Sequence, residues 1–565
     1  MKIEIVNKAN RCLMPLLLAS VLALIAGIVV LCLVPPVSKD ALTHHLAVPK
    51  LYLRHGGIYE IPGMPFSYFP MNIELLYLIP LYFNNDIAPK LIHFGFALLT
   101  GWLIFSYLRT RCGLIYALFG ALFFLSIPLI VKLSITVYVD LGLIFFTNAA
   151  LLFLIRWRES DFKHKYLALA ALFCGLAAGT KYNGLITLFL LSLFTPFIYL
   201  RGEKRADSLG AIKTGIVFFS LAFLICSPWF VKNFIWTGNP LYPLYDNWFN
   251  PNAAQKTSLG LFTYRALVYG EKWWEMALLP LRIFFQGQDG NPQFFDGKLN
   301  PFLLVLAALS FLRLGEDNER LRFEKKLLLA FSVFFFLFAF FSSSLRMRYI
   351  SPIIPPLVIL SVLGIKKAIG ISERLKSLAR KGLLFATVGS ALAAILINAQ
   401  YVIGQFKYVS PLGYLRGEVS RDQYIERYRP EYPVMQYINK KLPANAKILF
   451  VFMGNRGYYC DRCYIFDMVQ NKSLLAGCLR STGNSRLMAR ELKGKGITHI
   501  LMNTAIFSRW TRKTFDAQEM KILKELFKLY TKVLCSHNGY VLFRLGSYPV
   551  QSIKFNPLNC RIPRG

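Results

Sequence analysis

The sequence predicts an α-helical polytopic membrane protein with a small α/β domain at its carboxyl end. Three observations carry that prediction. Mean hydropathy is +0.44 and 55% of the 565 residues are hydrophobic, well above a soluble chain. Apolar runs recur with lengths near the ~20 residues that a helix needs to cross a bilayer. After about residue 403 the pattern changes to short apolar runs alternating with helical periodicity, as in a small α/β domain.

The apolar runs fall at roughly 12–34, 87–108, 113–131, 135–155, 166–180, 183–200, 211–231, 299–314, 327–343, 349–366 and 381–402, eleven in all. The first has the basic flank of a signal peptide, but it is long and lacks a small-residue cleavage site, so it reads as an anchor. A twelfth run, residues 71–83, is only about 13 residues long and holds Asn72, Glu74 and Pro80. Charge decides its role. If it does not cross, Lys2, Lys8 and Arg11 share one side with Arg109/Arg111, Arg156/Arg158/Lys163/Lys165, Arg201/Lys204/Arg205 and the basic stretches 313–326 and 366–381. The positive-inside rule makes that side cytoplasmic. Residues 71–83 are therefore expected to form an interfacial or re-entrant helix.

The formal charge of +35 excludes little by itself. Much of it sits in these loops, where anionic head groups attract it, and no nucleic-acid motif accompanies it. The topology divides the chain into a membrane domain, 1–402, with outward loops 35–86 and 232–298, and an extracytoplasmic domain, 403–565.

Where the chain leaves the first anchor it reads Pro35-Pro36-Val37-Ser38-Lys39-Asp40-Ala41-Leu42-Thr43-His44-His45-Leu46. Asp40 is placed to cap the helix that follows. Four residues on, His44 shares its face. A membrane-surface position partly desolvates an acid and suits it to accept a proton. His45 and Glu74 are second-tier candidates. The tyrosines 52, 59, 68 and 77 suit the head-group layer. Asp140 lies near the end of its apolar run, where an acid needs a polar cavity or a partner. Lys181, in Gly179-Thr180-Lys181-Tyr182-Asn183-Gly184, falls on the same expected side and is a point-charge partner for phosphate. Arg346, Arg348 and Tyr349 follow in Ser342-Ser343-Ser344-Leu345-Arg346-Met347-Arg348-Tyr349. Those arginines run against the charge bias, and a guanidinium makes two-pronged contacts to phosphate. These residues name no certain cofactor: Asp40 and Asp140 either share a divalent cation or split base and positioning roles. Loop 232–298 carries Trp248, Trp273 and Trp274, which suit a membrane surface, and Gln286-Gly287-Gln288-Asp289-Gly290-Asn291 reads as mobile.

In the tail, 447–452 and 498–502 read as buried strands, 518–530 as a helix, and 532–534 and 540–543 as further strands. Gly454-Asn-Arg-Gly457 has the wrong glycine spacing for a dinucleotide site. Cys460-Asp-Arg-Cys463 is a single pair, better read as thiols or a disulfide than as a zinc site.

Three stretches together resemble the GT-C superfamily of polyprenyl-phosphate-sugar-dependent glycosyltransferases. They are Asp40-Ala-Leu-Thr-His-His-Leu-Ala-Val-Pro-Lys50; Pro228-Trp-Phe-Val-Lys-Asn233 with Thr237-Gly-Asn-Pro-Leu-Tyr-Pro243; and Arg348-Tyr-Ile-Ser-Pro352. Over roughly the first 400 residues the chain is similar to the bacterial membrane mannosyl- and aminoarabinosyl-transferase-like groups. The resemblance implies a GT-C-like fold in a bacterial inner membrane, with the amino terminus cytoplasmic. It implies an inverting transfer of a hexose or pentose from a polyprenyl-phosphate-linked sugar to a lipid, glycan or protein acceptor. It gives Asp40 the role of base and leaves the donor phosphate to Lys181, Arg346 and Arg348. Asp40-Ala41 stands where several members have Asp-Glu. A lipid or sugar transporter is the competing reading. It predicts ionisable groups at mid-membrane and repeated halves, and neither is evident.

Overall fold

The computed structural model describes residues 2–202, 207–251, 260–313, 317–340, 345–469 and 472–546, with backbone alone for 2–11. Lys204, Arg205, Ser342, Ser343, Ser344, Cys560 and the side chains of Lys2, Lys8 and Arg11 lie outside the described residues. The chain divides into two compact units. One comprises residues 1–33, 69–76 and 87–411; the other comprises 34–68, 77–86 and 412–565.

The first unit is a helical bundle. Six described helices are long and apolar enough to cross a membrane: Cys12–Cys32, Ala88–Cys112, Asp140–Glu159, Ser208–Thr237, Met347–Ser372 and Ser377–Val409. Leu114–Ser126 and Pro128–Ser134, bent by 65° from one another, make a seventh when taken as one span. The break falls at Ile127-Pro128, where proline removes a backbone donor. His164–Ala178 and Gly184–Leu200 are shorter apolar helices. The run at 299–314 is realised only as Phe302–Leu309, eight residues and so about 12 Å of helix, too short to cross alone. Glu319–Phe340 begins with charged residues, so its apolar part is the second half. Helix length thus accounts for fewer crossings than the eleven apolar runs suggest. The run at 71–83 does stay short, as the helix Asn72–Tyr82.

Small residues let these helices approach closely, as membrane packing requires. A β-carbon on Gly175 would stand 2.4 Å from the Ala222 carbonyl oxygen, so His164–Ala178 and Ser208–Thr237 meet backbone to backbone there. Charged groups cluster where helices end. Arg111 donates to Glu324 at 2.6 Å, Tyr107 donates to the same carboxylate at 2.6 Å, and Arg111 also pairs with Glu159. The described residues that follow Thr237 in loop 232–298 form short helices, with a buried Arg265–Glu271–Arg282 triad among them and Trp248 and Trp273 exposed. Beside the glycine-rich stretch 286–291, Gln288 N–H donates to the Phe294 carbonyl and Gly297 N–H to the Gln288 carbonyl.

The second unit holds a five-stranded sheet in the order Cys463–Phe466, Lys447–Val451, His499–Asn503, Tyr540–Leu545, Thr531–His537. The first three strands run parallel, and the last two are antiparallel to their neighbours. Leu449, Val451, Ile500 and Met502 pack on Leu475, Leu479, Met488, Leu492, Leu523 and Leu526 of the covering helices. Of the outward loop expected at 35–86, residues up to 68 and from 77 group with this unit; the Leu42 carbonyl accepts from both Gly457 and Tyr458 N–H groups. The helix Ser377–Val409 of the first unit runs past residue 402, and that unit extends to residue 411. Cys460 and Cys463 are free thiols, whereas Cys535 is disulfide-bonded.

Candidate functional site

In the first unit the bundle gathers charged residues from four segments. Asp140 is the first residue of Asp140–Glu159. The macrodipole favours a carboxylate at that end. The preceding Thr136–Val139 are not helical, so the apolar run begins its helix later than its composition suggests. His93, on Ala88–Cys112, fixes this start. The Leu141 N–H donates to His93 Nε2 at 3.0 Å, so that nitrogen carries no proton. Nδ1–H then donates to the carbonyls of Leu133 and Thr136, at 3.0 and 2.9 Å. A neutral imidazole thus ties the chain before the helix to the helix's first turn.

Lys181 reaches Asp140 from the turn between His164–Ala178 and Gly184–Leu200. Its Nζ donates to Asp140 Oδ1 at 2.6 Å; the Asp140 side chain is 0% exposed and that of Lys181 16%. The turn packs closely: a β-carbon on Gly179 would lie 2.3 Å from Asn72 Nδ2. Asn72 N–H also donates to the Gly179 carbonyl, and Asn72 Oδ1 accepts from Trp229 Nε1 at 2.8 Å.

Arg348 and Tyr349 lie in the tight 3₁₀ turn Met347–Ile353. Tyr349 stands under the Lys181 ammonium, 5.1 Å from ring centre to Nζ. The Arg348 guanidinium lies over the rings of Tyr138 and Tyr349, at 5.1 and 5.5 Å, and adds positive charge beside Asp140. Asn148 holds this turn by donating to the Pro352 carbonyl at 3.2 Å. Arg346 goes elsewhere. It lies 3.9 Å from Asp296, a carboxylate that also pairs with Lys132 at 3.0 Å. Two residues apart on a tight turn, the two arginines serve different clusters.

Glu74, near the start of Asn72–Tyr82, is buried. Burial pushes its carboxyl up from 4.5 to about 8, against the pull of Lys181 and Lys232. Lys232 in turn lies 4.9 Å from the ring centres of both Trp229 and Trp236. Glu74 is therefore protonated near neutrality in the folded chain. Its folded pKa exceeds the unfolded value, so its contribution to stability is full below 4.5 and is lost as pH rises to about 8. Thermal unfolding in detergent is expected to show that fall between pH 5 and 8 in the wild type, and a flatter profile in Glu74→Gln.

Asp40, His44 and His45 belong to the second unit. Asp40 is half-buried and sits at the capping position, yet its carboxylate makes no capping bond there. The expected helix start is instead a wide turn closed by Leu46 N–H to the Ala41 carbonyl, five residues back, so i, i+4 spacing does not describe it. The His44 ring stacks on Phe66 at 4.4 Å and 17°, and His45 is buried with its ring centre 4.0 Å from that of His44. Among the described residues no three His, Cys, Asp or Glu groups come together in a way that suits a metal ion.

His93, Asn72, Trp229 and Lys232 were not singled out from the sequence as site residues. The available signals were an ionisable residue inside an apolar run, for His93, and the Pro228-Trp-Phe-Val-Lys-Asn233 motif for the last two.

The bundle and the attached α/β unit together have the fold of the GT-C class of membrane glycosyltransferases. Residues 79–231 match the family model described as dolichyl-phosphate-mannose-protein mannosyltransferase. The chain is similar to the apo crystal structure of ArnT from Cupriavidus metallidurans, with a TM-score of 0.57 at 16% identity over 95% of this chain and 99% of that one. The same protein bound to undecaprenyl phosphate gives 0.55 at 16% identity, over 94% and 97%. The oligosaccharyltransferase of Archaeoglobus fulgidus, in complex with zinc and sulfate, gives 0.50 at 13% identity, over 94% and 74%. No curated protein sequence matches the chain.

Proposed function

We propose that this multi-pass membrane protein is an inverting glycosyltransferase. It moves a sugar from a polyprenyl-phosphate donor to an acceptor at the extracytoplasmic face of a bacterial inner membrane. The observation that carries this reading is the Asp140–Lys181 pair with Arg348 and Tyr349 beside it. Lys181 spends one N–H on Asp140 and keeps two more donors, and the Arg348 guanidinium adds a second positive charge beside the pair. Such groups meet the charge that develops on a departing phosphate, often the largest catalytic contribution. Asp40 takes the proton from the acceptor hydroxyl or amine as it attacks the anomeric carbon, and the lipid phosphate leaves. The basic helix ends support the sidedness by the positive-inside rule. The undecaprenyl phosphate bound to the ArnT of similar fold supports the donor class.

The test is binding of undecaprenyl phosphate to purified protein in nanodiscs, followed by sugar release from a polyprenyl-phosphate-linked sugar. One charge-assisted hydrogen bond contributes about 1.5–3 kcal/mol, so Arg348→Ala is expected to weaken lipid-phosphate binding roughly 10- to 150-fold. Arg346→Ala, which loses the contact with Asp296, is expected to stay within about threefold. Unchanged binding in Arg348→Ala would remove the cluster from donor recognition. Lipid movement without bond cleavage would favour a transporter.

A further inference from the structure

The second unit contains a cavity of about 760 Å³ that the donor site does not use. That is the size range of sites for organic ligands of several rings. Its charges are already spent on each other. Asp461 accepts from Lys50 at 2.8 Å and from Arg54 at 2.6 Å. Asp86 accepts from Arg421 at 2.5 Å and from the Tyr458 hydroxyl at 3.3 Å. A free phosphate would have to compete with both carboxylates for these cations. A neutral ligand with many hydroxyls would not. Each paired carboxylate keeps spare lone pairs and each guanidinium keeps spare N–H groups, in planar arrays that suit adjacent hydroxyls. The Asp461 side chain is 44% exposed and that of Arg54 39%, so both remain open to a ligand.

The remaining walls fit the same chemistry. Tyr82 is 71% exposed at the cavity and offers an aromatic face, with Tyr432, Tyr458 and Tyr459 further round. Gln436, half-buried on the helix Tyr432–Lys441, lines the cavity, and its side-chain amide makes no hydrogen bond to another described residue. Its amide offers two donors and one acceptor group. Flat aromatic faces meet the C–H faces of sugar rings, and paired polar forks meet the ring's edge of hydroxyls.

We propose that this cavity is a carbohydrate-binding site for a short neutral glycan. That this glycan belongs to the acceptor rests on the glycosyltransferase reading; the binding itself does not.

The test uses the full chain in nanodiscs free of glycosidic detergent, because a maltoside would occupy the site. Maltotriose, cellotriose, mannotriose and chitotriose serve as probes in saturation-transfer NMR. At least one is expected to receive saturation from the wild type. Tyr82→Ala and Gln436→Leu, both at accessible positions, are expected to weaken that binding by about tenfold or more. Arg348→Ala is expected to leave it unchanged, so loss of donor binding and loss of glycan binding report separately. The proposal is overturned if none of the four binds, if both cavity variants bind as the wild type does, or if excess inorganic phosphate displaces the glycan.

Discussion

Replacing Lys181 by Met is expected to destabilise the protein by about 3–5 kcal/mol, the cost of leaving a buried carboxylate without its counter-charge. Asp140 is fully buried, and Lys181 supplies the hydrogen bond to Oδ1. Its other oxygen, Oδ2, is buried without a hydrogen-bond partner among the described residues. Arg348 and the helix end offset part of the loss, so the lower end of that range is the expected value. A loss of this size is a large share of the roughly 5–15 kcal/mol that holds a typical domain folded. The double variant Asp140→Asn with Lys181→Met removes both charges and is expected to recover most of the stability. It should not recover sugar transfer if Lys181 also holds the donor phosphate. Unfolding in mixed micelles reads the first quantity, and release of sugar from the lipid donor reads the second. Full stability in Lys181→Met would mean that Asp140 finds its counter-charge elsewhere. Full transfer in the double variant would make the pair a strut.

How far the site could be seen in the sequence differs residue by residue. Asp140 and Lys181 were visible singly, as ionisable groups beside apolar runs. Their contact was not, because 41 residues separate them and only the packing of three helices closes the gap. Arg346 and Arg348 looked like one feature because they are neighbours in the chain. A tight turn sends them to different partners, and sequence spacing is silent on turn geometry. His93 was missed because a lone histidine in an apolar run carries no periodic signal; its role is three hydrogen bonds to backbone.

The fold was more legible, because burial leaves period and length in the sequence. The short helix Asn72–Tyr82 was separable by its length together with loop charge. The strands Lys447–Val451 and His499–Asn503 showed as apolar runs. The edge strand Cys463–Phe466 has four residues and an open face, so it left no such run. Residues 34–68 are drawn into the second unit by backbone bonds to the Leu42 carbonyl and by the pairing of Lys50 and Arg54 with Asp461, contacts between distant parts of the chain that neither composition nor spacing encodes.

Asp40→Asn is expected to lower the rate of sugar transfer by about 10²–10⁴-fold, the span typical of a lost general base. The substitution keeps the side chain's shape and removes its charge. Asn keeps the oxygen acceptor and adds N–H donors, so the fold is expected to survive the change, and binding of undecaprenyl phosphate should stay within about twofold, because uniform binding does not pass through a base. His44→Ala supplies the contrast. His44 stacks on Phe66 and touches His45, so its loss is expected to act through packing of the wide turn, with a smaller rate effect and a measurable fall in stability. The two variants thus separate chemistry from support on one short segment. An Asp40→Asn protein that turns over at the wild-type rate would end the base assignment. One that fails to bind the lipid phosphate would instead move Asp40 into donor recognition, a different role for the same carboxylate.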